Sequence, residues 1–120
     1  MAAIPDYKEL TADVSANLRP LRQDLPTMMK AFGELSKAAS TPGALDEKTK
    51  EFVALGIAVS TRCDACIGFH VRTLVKLGAS KAEFEEVLGM AIYMGGGPSL
   101  MYAASTIAAF EEFSQAHKPA

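Results

Sequence analysis

Two cysteines and a histidine near the middle of the chain have a spacing that suits thiol chemistry. Cys63, Cys66 and His70 stand at i, i+3 and i+7, so a helix would place all three side chains on one face. Cys66 and His70 are one turn apart, close enough for the imidazole to take the proton of the thiol. Cys63 is expected in the first helical turn, where free N–H groups and the helix dipole favour a thiolate. The pattern predicts a thiol that ionises at lower pH than a free cysteine.

A carboxylate joins this group through the geometry of a helical hairpin. If the chain reverses near residues 60–61, the helices on either side run antiparallel, and Glu51 and His70 lie equally far from the reversal along the chain. At a rise of about 1.5 Å per residue, the two side chains then stand at the same height on facing helices. We predict a relay from Glu51 to His70 to Cys66, with Cys63 one turn further on.

The same residues have alternative interpretations. Cys63, Cys66 and His70 could be three zinc ligands, but a second ligand pair is missing and the other histidine, His117, stands near the end of the chain. A haem attachment site would need histidine directly after the second cysteine, where Ile67 stands. Two buried, inert cysteines are the simplest alternative. No metal and no cofactor are expected.

Length and composition place these residues in one small domain. The chain has 120 residues, 49% hydrophobic and 22% charged, so it can bury a core and is too apolar for disorder. We predict one domain over residues 1–120. The net charge of -2 argues against a nucleic-acid partner. The uncharged stretch 91–110 is interrupted by Gly95-Gly96-Gly97-Pro98, and no signal peptide pattern precedes it, so a cytoplasmic protein with no membrane partner is expected.

Helical periodicity recurs along the chain, and no alternating strand pattern accompanies it. The residues between 52 and 59 are apolar on nearly every side, which suits a central, buried helix. We predict six short helices in an all-α domain: residues 6–18 ended by Pro20; one capped by Asp24 with Pro26 in its first turn; one from Asp46 to about Ser60; one ending at Leu77 before Gly78; one opened by the capping box Ser80–Glu83; and one from Pro98 or Ser99 to about Ala116.

The four candidate residues carry a family resemblance. Glu51, eleven residues, then Cys63-x-x-Cys66-x-x-x-His70 resembles the core motif of alkyl hydroperoxidase D (AhpD)-like proteins of the carboxymuconolactone decarboxylase superfamily. The resemblance covers about residues 45–112 and includes the GGGPS-x-x-x-A stretch. It implies an AhpD-like, oligomeric helical bundle, as trimer or hexamer. It also implies a thiol-dependent peroxidase or disulfide reductase, in which carboxylate and imidazole relay protons, often through a water, to the cysteine pair.

The resemblance also suggests an electron donor, a dithiol such as a lipoyl group or a thioredoxin-like protein, and a peroxide substrate. Two features depart from the family pattern. Some peroxidase members carry a second histidine between the cysteines, where this chain has Ala65, and the chain is one short domain rather than two repeats. These departures bear on the peroxidase rate and on the identity of the donor.

Three functions are therefore considered. In the leading one, a cysteine peroxidase or dithiol oxidoreductase, Cys66 attacks a hydroperoxide because His70 is one turn away, and Cys63 then condenses with the sulfenic acid. The helix dipole favours the reverse order. Mild oxidation is expected to join the two cysteines within one chain, since i, i+3 spacing puts their Cα atoms within roughly 4.4–6.8 Å. The alternatives are a decarboxylase-type enzyme, which leaves both thiols unexplained, and a non-enzymatic, redox-responsive oligomeric module.

The chain has more apolar surface than one small core can bury, and this excess predicts self-association. The helix at 47–60 and the stretch at 91–110 offer more apolar surface than a domain of this size covers by itself. A copy of the same chain is the simplest cover. We predict a trimer, or a hexamer built from two trimers, with the turn at residues 95–97 at or near a subunit contact.

Overall fold

The computed structural model describes residues 3–117, which form six α-helices and no strand. The helices are α1 (Tyr7–Asp24), α2 (Pro26–Ser40), α3 (Glu47–Ser60), α4 (Asp64–Lys76), α5 (Lys81–Gly95) and α6 (Gly97–His117). The prediction of one all-α domain with six helices is confirmed. Within the same residues, no helix is long and apolar enough to cross a membrane.

Residues at the helix ends form the capping interactions that the sequence predicts. The carboxylate of Asp46 accepts the backbone N–H of Thr49 at the start of α3, and Ser80 forms a complete capping box at the start of α5. Gly78 and Gly96 follow α4 and α5 with φ of 81° and 73°, a left-handed conformation that glycine adopts without a steric penalty. These signals fix where α3 begins and where α4 and α5 end.

The first helical hairpin differs from the prediction. Pro20 lies inside α1, which continues to Asp24, and Leu25 rather than Asp24 is the cap residue of α2. Proline in a helix removes one backbone hydrogen bond, here to the carbonyl of Ala16. Pro20 and Ala16 are both exposed, so water can satisfy that carbonyl and the helix continues through the proline. Pro26 occupies the first turn of α2 as expected.

The core lies between α3, α4, α5 and α6: α3 packs on each of the other three helices, and α6 also packs on α4 and α5. Its largest fully buried apolar side chains are Tyr7, Phe84, Leu55, Ile67, Leu74, Val59 and Val71. The prediction of a central, buried third helix holds for the face of α3 that carries the buried Leu55, Ala58 and Val59, and it is wrong for the opposite face. Val53 and Ile57 of α3 are more than half exposed, because only one face of this helix packs on the core.

The helix α1 approaches α4 closely at a glycine. A Cβ atom at Gly68 would lie 2.7 Å from the methyl carbon of Thr11 and 3.2 Å from the ring of Tyr7, and real contacts of that kind are not found at 2.7 Å. Tyr7 and Thr11 are both buried there. The missing side chain at Gly68 therefore lets α1 pack directly against the helix that carries the cysteines.

We expect Gly68→Ala to lower the free energy of unfolding by about 1–3 kcal/mol, because Thr11 and Tyr7 must move to admit the methyl group. Gly89→Ala is the matched control, since a Cβ at this position in α5 meets nothing within 4 Å. That control should gain up to about 1 kcal/mol from helix propensity. Urea unfolding measures both, and equal effects at the two positions would contradict the close packing.

Candidate active site

The hairpin between α3 and α4 is a tight reversal with a defined register. Helix α3 ends at Ser60 and α4 begins at Asp64, as the predicted break requires. The backbone N–H of Cys63 donates to the carbonyl of Ala58 at 3.1 Å, and Arg62 between them has φ of 59°. A non-glycine residue in this left-handed region is uncommon and marks a turn with little freedom. The reversal thereby fixes how residues of α3 and α4 face each other.

Glu51 and His70 meet across this hairpin. The imidazole Nδ1 lies 2.6 Å from a carboxylate oxygen of Glu51, which confirms the predicted contact between the two residues. The side chain of Glu51 is 12% exposed and that of His70 is 35% exposed. A carboxylate accepts hydrogen bonds, so it favours a proton on Nδ1 and leaves Nε2 of a neutral ring free to act as a base. The pair has the geometry of an oriented general base.

Cys63 and Cys66 form a disulfide at the N-terminus of α4, with Cα atoms 5.2 Å apart. Cys63 is the N-cap residue, one position before the helical turn in which it was expected, and its Sγ accepts the backbone N–H of Cys66 at 3.2 Å. Both residues are half-buried. The sulfur of Cys63 therefore lies where a helix terminus offers an unpaired N–H group, an environment that favours a thiolate.

The last step of the predicted relay, from His70 to Cys66, is not a direct hydrogen bond in this oxidised structure. Among the hydrogen bonds of residues 3–117, that of the His70 ring goes to Glu51, and none joins His70 to a sulfur. Cys66 lies one turn before His70 on α4. The structure thus brings Glu51 and His70 into contact and places both cysteines at the adjacent end of the same helix.

A second polar contact at the cysteine motif was missed by reasoning from sequence. The hydroxyl of Tyr7 donates to the carboxylate of Asp64 at 2.9 Å, across 57 positions of the chain. Tyr7 is fully buried, and its contact with Asp64 depends on the packing of α1 against α4. Burial, and then the hydrogen bond to Asp64, raise its pKa above the ordinary value for tyrosine. Its hydroxyl consequently stays protonated and remains a donor at neutral and mildly alkaline pH.

The geometry gives the zinc alternative no support. In the part of the chain that the structure describes, no three His, Cys, Asp or Glu side chains are grouped so that they could hold a metal ion. The sulfurs of Cys63 and Cys66 are bonded to each other and cannot both act as thiolate ligands in this state. The side chain of His117, the other histidine, lies outside the described residues.

Comparison with known proteins settles the family. The family model described as carboxymuconolactone decarboxylase matches residues 26–109, a span that contains Glu51, both cysteines and His70. The chain belongs to the carboxymuconolactone decarboxylase family. The family membership expected from the motif spacing is thus confirmed.

Two solved structures of family members share the fold over nearly their whole length, and a further relative is similar in sequence. A crystal structure of a carboxymuconolactone decarboxylase family protein from Legionella pneumophila is 53% identical, with a TM-score of 0.88 over 90% of this chain and 96% of that one. A family member from Thermotoga maritima, for which a role in the antioxidative response has been suggested, is 30% identical, with a TM-score of 0.79 over 88% and 90% of the two chains. An uncharacterised protein from Cupriavidus necator is 36% identical over 88% of this chain and 94% of its own.

Proposed function

We propose that this protein is a thiol-dependent peroxidase that reduces alkyl hydroperoxides with Cys63 and Cys66 and is returned to the dithiol by an external dithiol. The observation that carries the proposal is the Glu51–His70 pair, held at 2.6 Å on facing helices beside a disulfide at the N-terminus of α4. The suggested antioxidative role of the Thermotoga relative supports it. The proposed catalytic residues are Glu51, Cys63, Cys66 and His70.

In the first step, His70 takes the thiol proton of Cys66, directly or through a water, while Glu51 holds the ring and balances its positive charge. The Cys66 thiolate attacks the terminal oxygen of the hydroperoxide. The O–O bond breaks, Cys66 becomes a sulfenic acid, and the alcohol leaves after taking the proton from the imidazolium. Sulfur is oxidised and the peroxide is reduced.

In the second step, the thiolate of Cys63 attacks the sulfenic sulfur of Cys66. The S–S bond forms, the S–O bond breaks, and hydroxide leaves and is protonated to water. The N–H of Cys66, which lies 3.2 Å from the sulfur of Cys63, stabilises the attacking thiolate. A dithiol donor, such as a lipoyl group or a thioredoxin-like protein, then reduces the disulfide by two successive exchanges and leaves as its own disulfide.

One observation favours a second assignment within this chemistry. Because Cys63 is the N-cap residue and its sulfur accepts a helix N–H, Cys63 can supply the attacking thiolate and Cys66 the resolving one. Cys63→Ser and Cys66→Ser separate the two orders. The variant that lacks the attacking cysteine should leave a hydroperoxide intact, whereas the variant that lacks the resolving cysteine should reduce one equivalent and stop at the sulfenic acid.

Consumption of tert-butyl hydroperoxide with dihydrolipoamide or reduced thioredoxin as donor tests the proposed activity. We expect Glu51→Gln and His70→Asn to slow turnover, each by roughly 10- to 1000-fold, with the double variant barely slower than either single variant because the residues act as a unit. Glu111→Gln is the matched control, since Glu111 bonds only the surface residue Lys81 among its described partners. This control should keep the parental rate.

Other outcomes of these measurements would favour a different mechanism or a different function. Multiplicative losses in the double variant would show that Glu51 and His70 act independently. An activity that survives loss of both thiols would favour the decarboxylase-type enzyme. A disulfide that changes association without turnover would favour the redox-responsive module.

We further propose that the protein works as a homo-oligomer, a trimer or a hexamer of two trimers. An apolar groove of about 460 Å³ lies between α3 and α5, lined by side chains that include Val53, Ile57, Met90 and Met94. Helix α2 packs only on α1 and α3 among the described helices, and its apolar side carries Phe32, which is 67% exposed. Each chain thus has two different apolar surfaces, as a closed ring of identical copies requires.

Light scattering during size-exclusion chromatography tests the assembly. We expect three or six copies of the 12.7 kDa chain at micromolar concentration. Phe32→Glu should reduce the mass because it places a charge in the apolar stripe of α2, whereas Lys30→Glu, on the opposite side of that helix, should leave the mass unchanged. A mass of one chain that does not change on dilution would contradict the proposal.

A further inference from the structure

The cysteine motif contains a carboxylate whose charge opposes thiolate formation. Asp64 stands directly after Cys63 and two positions before Cys66, in the first turn of α4. A carboxylate at this position interacts favourably with the helix N-terminus, but it is a like charge beside any thiolate that forms there. It can also compete with the sulfur of Cys63 for the N–H groups of that terminus. The direction in which the Asp64 carboxylate points therefore affects how readily the neighbouring thiols ionise.

The carboxylate of Asp64 is hydrogen-bonded to Tyr7 in this structure. Its hydroxyl donates to Asp64 at 2.9 Å from a fully buried position on α1. The tyrosine is held at both ends, because its backbone N–H donates to Glu112 of α6 at 2.8 Å and its ring packs where Gly68 has no side chain. A donor fixed this firmly can hold the carboxylate towards α1.

We propose that Tyr7 is a positioning residue for the cysteine pair: its hydroxyl holds the Asp64 carboxylate towards α1 and thereby eases formation of a thiolate at the N-terminus of α4. The proposal rests on the proposed function only in that the pair must cycle between dithiol and disulfide. It requires no particular oxidant. The raised pKa of Tyr7 is consistent with it, since the hydroxyl keeps its proton over the range in which thiols titrate.

The consequence for Tyr7→Phe follows from this arrangement. The phenyl ring fills the same space, but the carboxylate of Asp64 loses its donor and can turn to the N–H groups at the start of α4. A thiolate is then less favoured, so the pH midpoint of alkylation should rise and the disulfide should become harder to reduce. Asp64→Asn removes the like charge and should shift both measurements in the opposite direction.

The double variant distinguishes positioning from packing. If Tyr7 acts through the carboxylate, Tyr7→Phe should have little effect once Asp64→Asn has removed the charge. The other ionisable groups around the motif are Arg62, directly before Cys63, Glu51 of α3 and His70 of α4. Near Tyr7 they are Glu112, which accepts its backbone N–H, and Tyr102, both of α6. They are the same in all four proteins, so the difference between the two effects of Tyr7→Phe reports on Asp64.

The experiment uses the full chain, reduced and free of peroxide. Iodoacetamide alkylation is followed from pH 5 to pH 10, and the disulfide is equilibrated with reduced and oxidised dithiothreitol. We expect Tyr7→Phe to shift the thiol–disulfide equilibrium towards the disulfide by roughly 3- to 10-fold, equivalent to half to one pH unit in the alkylation midpoint. Tyr93→Phe is the control, because Tyr93 is 77% exposed, and it should behave as the parent.

Two results would overturn the proposal. In one, Tyr7→Phe changes the urea midpoint but leaves the alkylation profile and the equilibrium as in Tyr93→Phe, which makes Tyr7 a packing residue. In the other, the effect of Tyr7→Phe is undiminished in the double variant. Because neither measurement involves a hydroperoxide, failure of the peroxidase activity would leave this test intact.

Discussion

The contact between Glu51 and His70 depends on the register of one helical hairpin. The turn at Arg62 places His70 opposite Glu51, and the same turn makes Cys63 the N-cap residue of α4. An insertion of one residue into α4 between Cys66 and His70 would rotate the imidazole by about 100° about the helix axis and remove it from the facing carboxylate. The position of the chain reversal therefore sets the geometry of both the Glu51–His70 pair and the cysteine pair.

The remaining helices keep that hairpin rigid. Helices α5 and α6 cover the buried sides of α3 and α4, and α1 packs on α4 where Gly68 permits close approach. Tyr7 extends this packing to the cysteine motif through Asp64. Sites carried on helices whose faces are packed in this way hold their geometry better than sites on loops. The geometry of the site therefore depends on the packing of the whole bundle as well as on the four motif residues.

Local signals explain what could be predicted from the sequence. The cap at Asp46 and the capping box at Ser80 depend on neighbouring residues, so the starts of α3 and α5 were predictable. The Glu51–His70 contact was predicted from a chain reversal near residues 60–61, and α3 does end at Ser60 with α4 beginning at Asp64. Pro20 inside α1 was not predictable, because its tolerance depends on exposure. The Tyr7–Asp64 contact joins residues 57 positions apart, and only the packing of α1 on α4 brings them together. The catalytic roles of the motif residues concern reactivity, which kinetic measurements on variants determine.

In the proposed reaction, one hydroperoxide oxidises one cysteine pair within one chain. Titration of the fully reduced protein with tert-butyl hydroperoxide under anaerobic conditions, followed by intact-mass and peptide mass spectrometry, measures this directly. We expect two thiols to be lost for each peroxide reduced, with a single product lighter by two hydrogens and Cys63 joined to Cys66. Thiols that remain reduced after excess peroxide, or interchain disulfides as the only product, would contradict it.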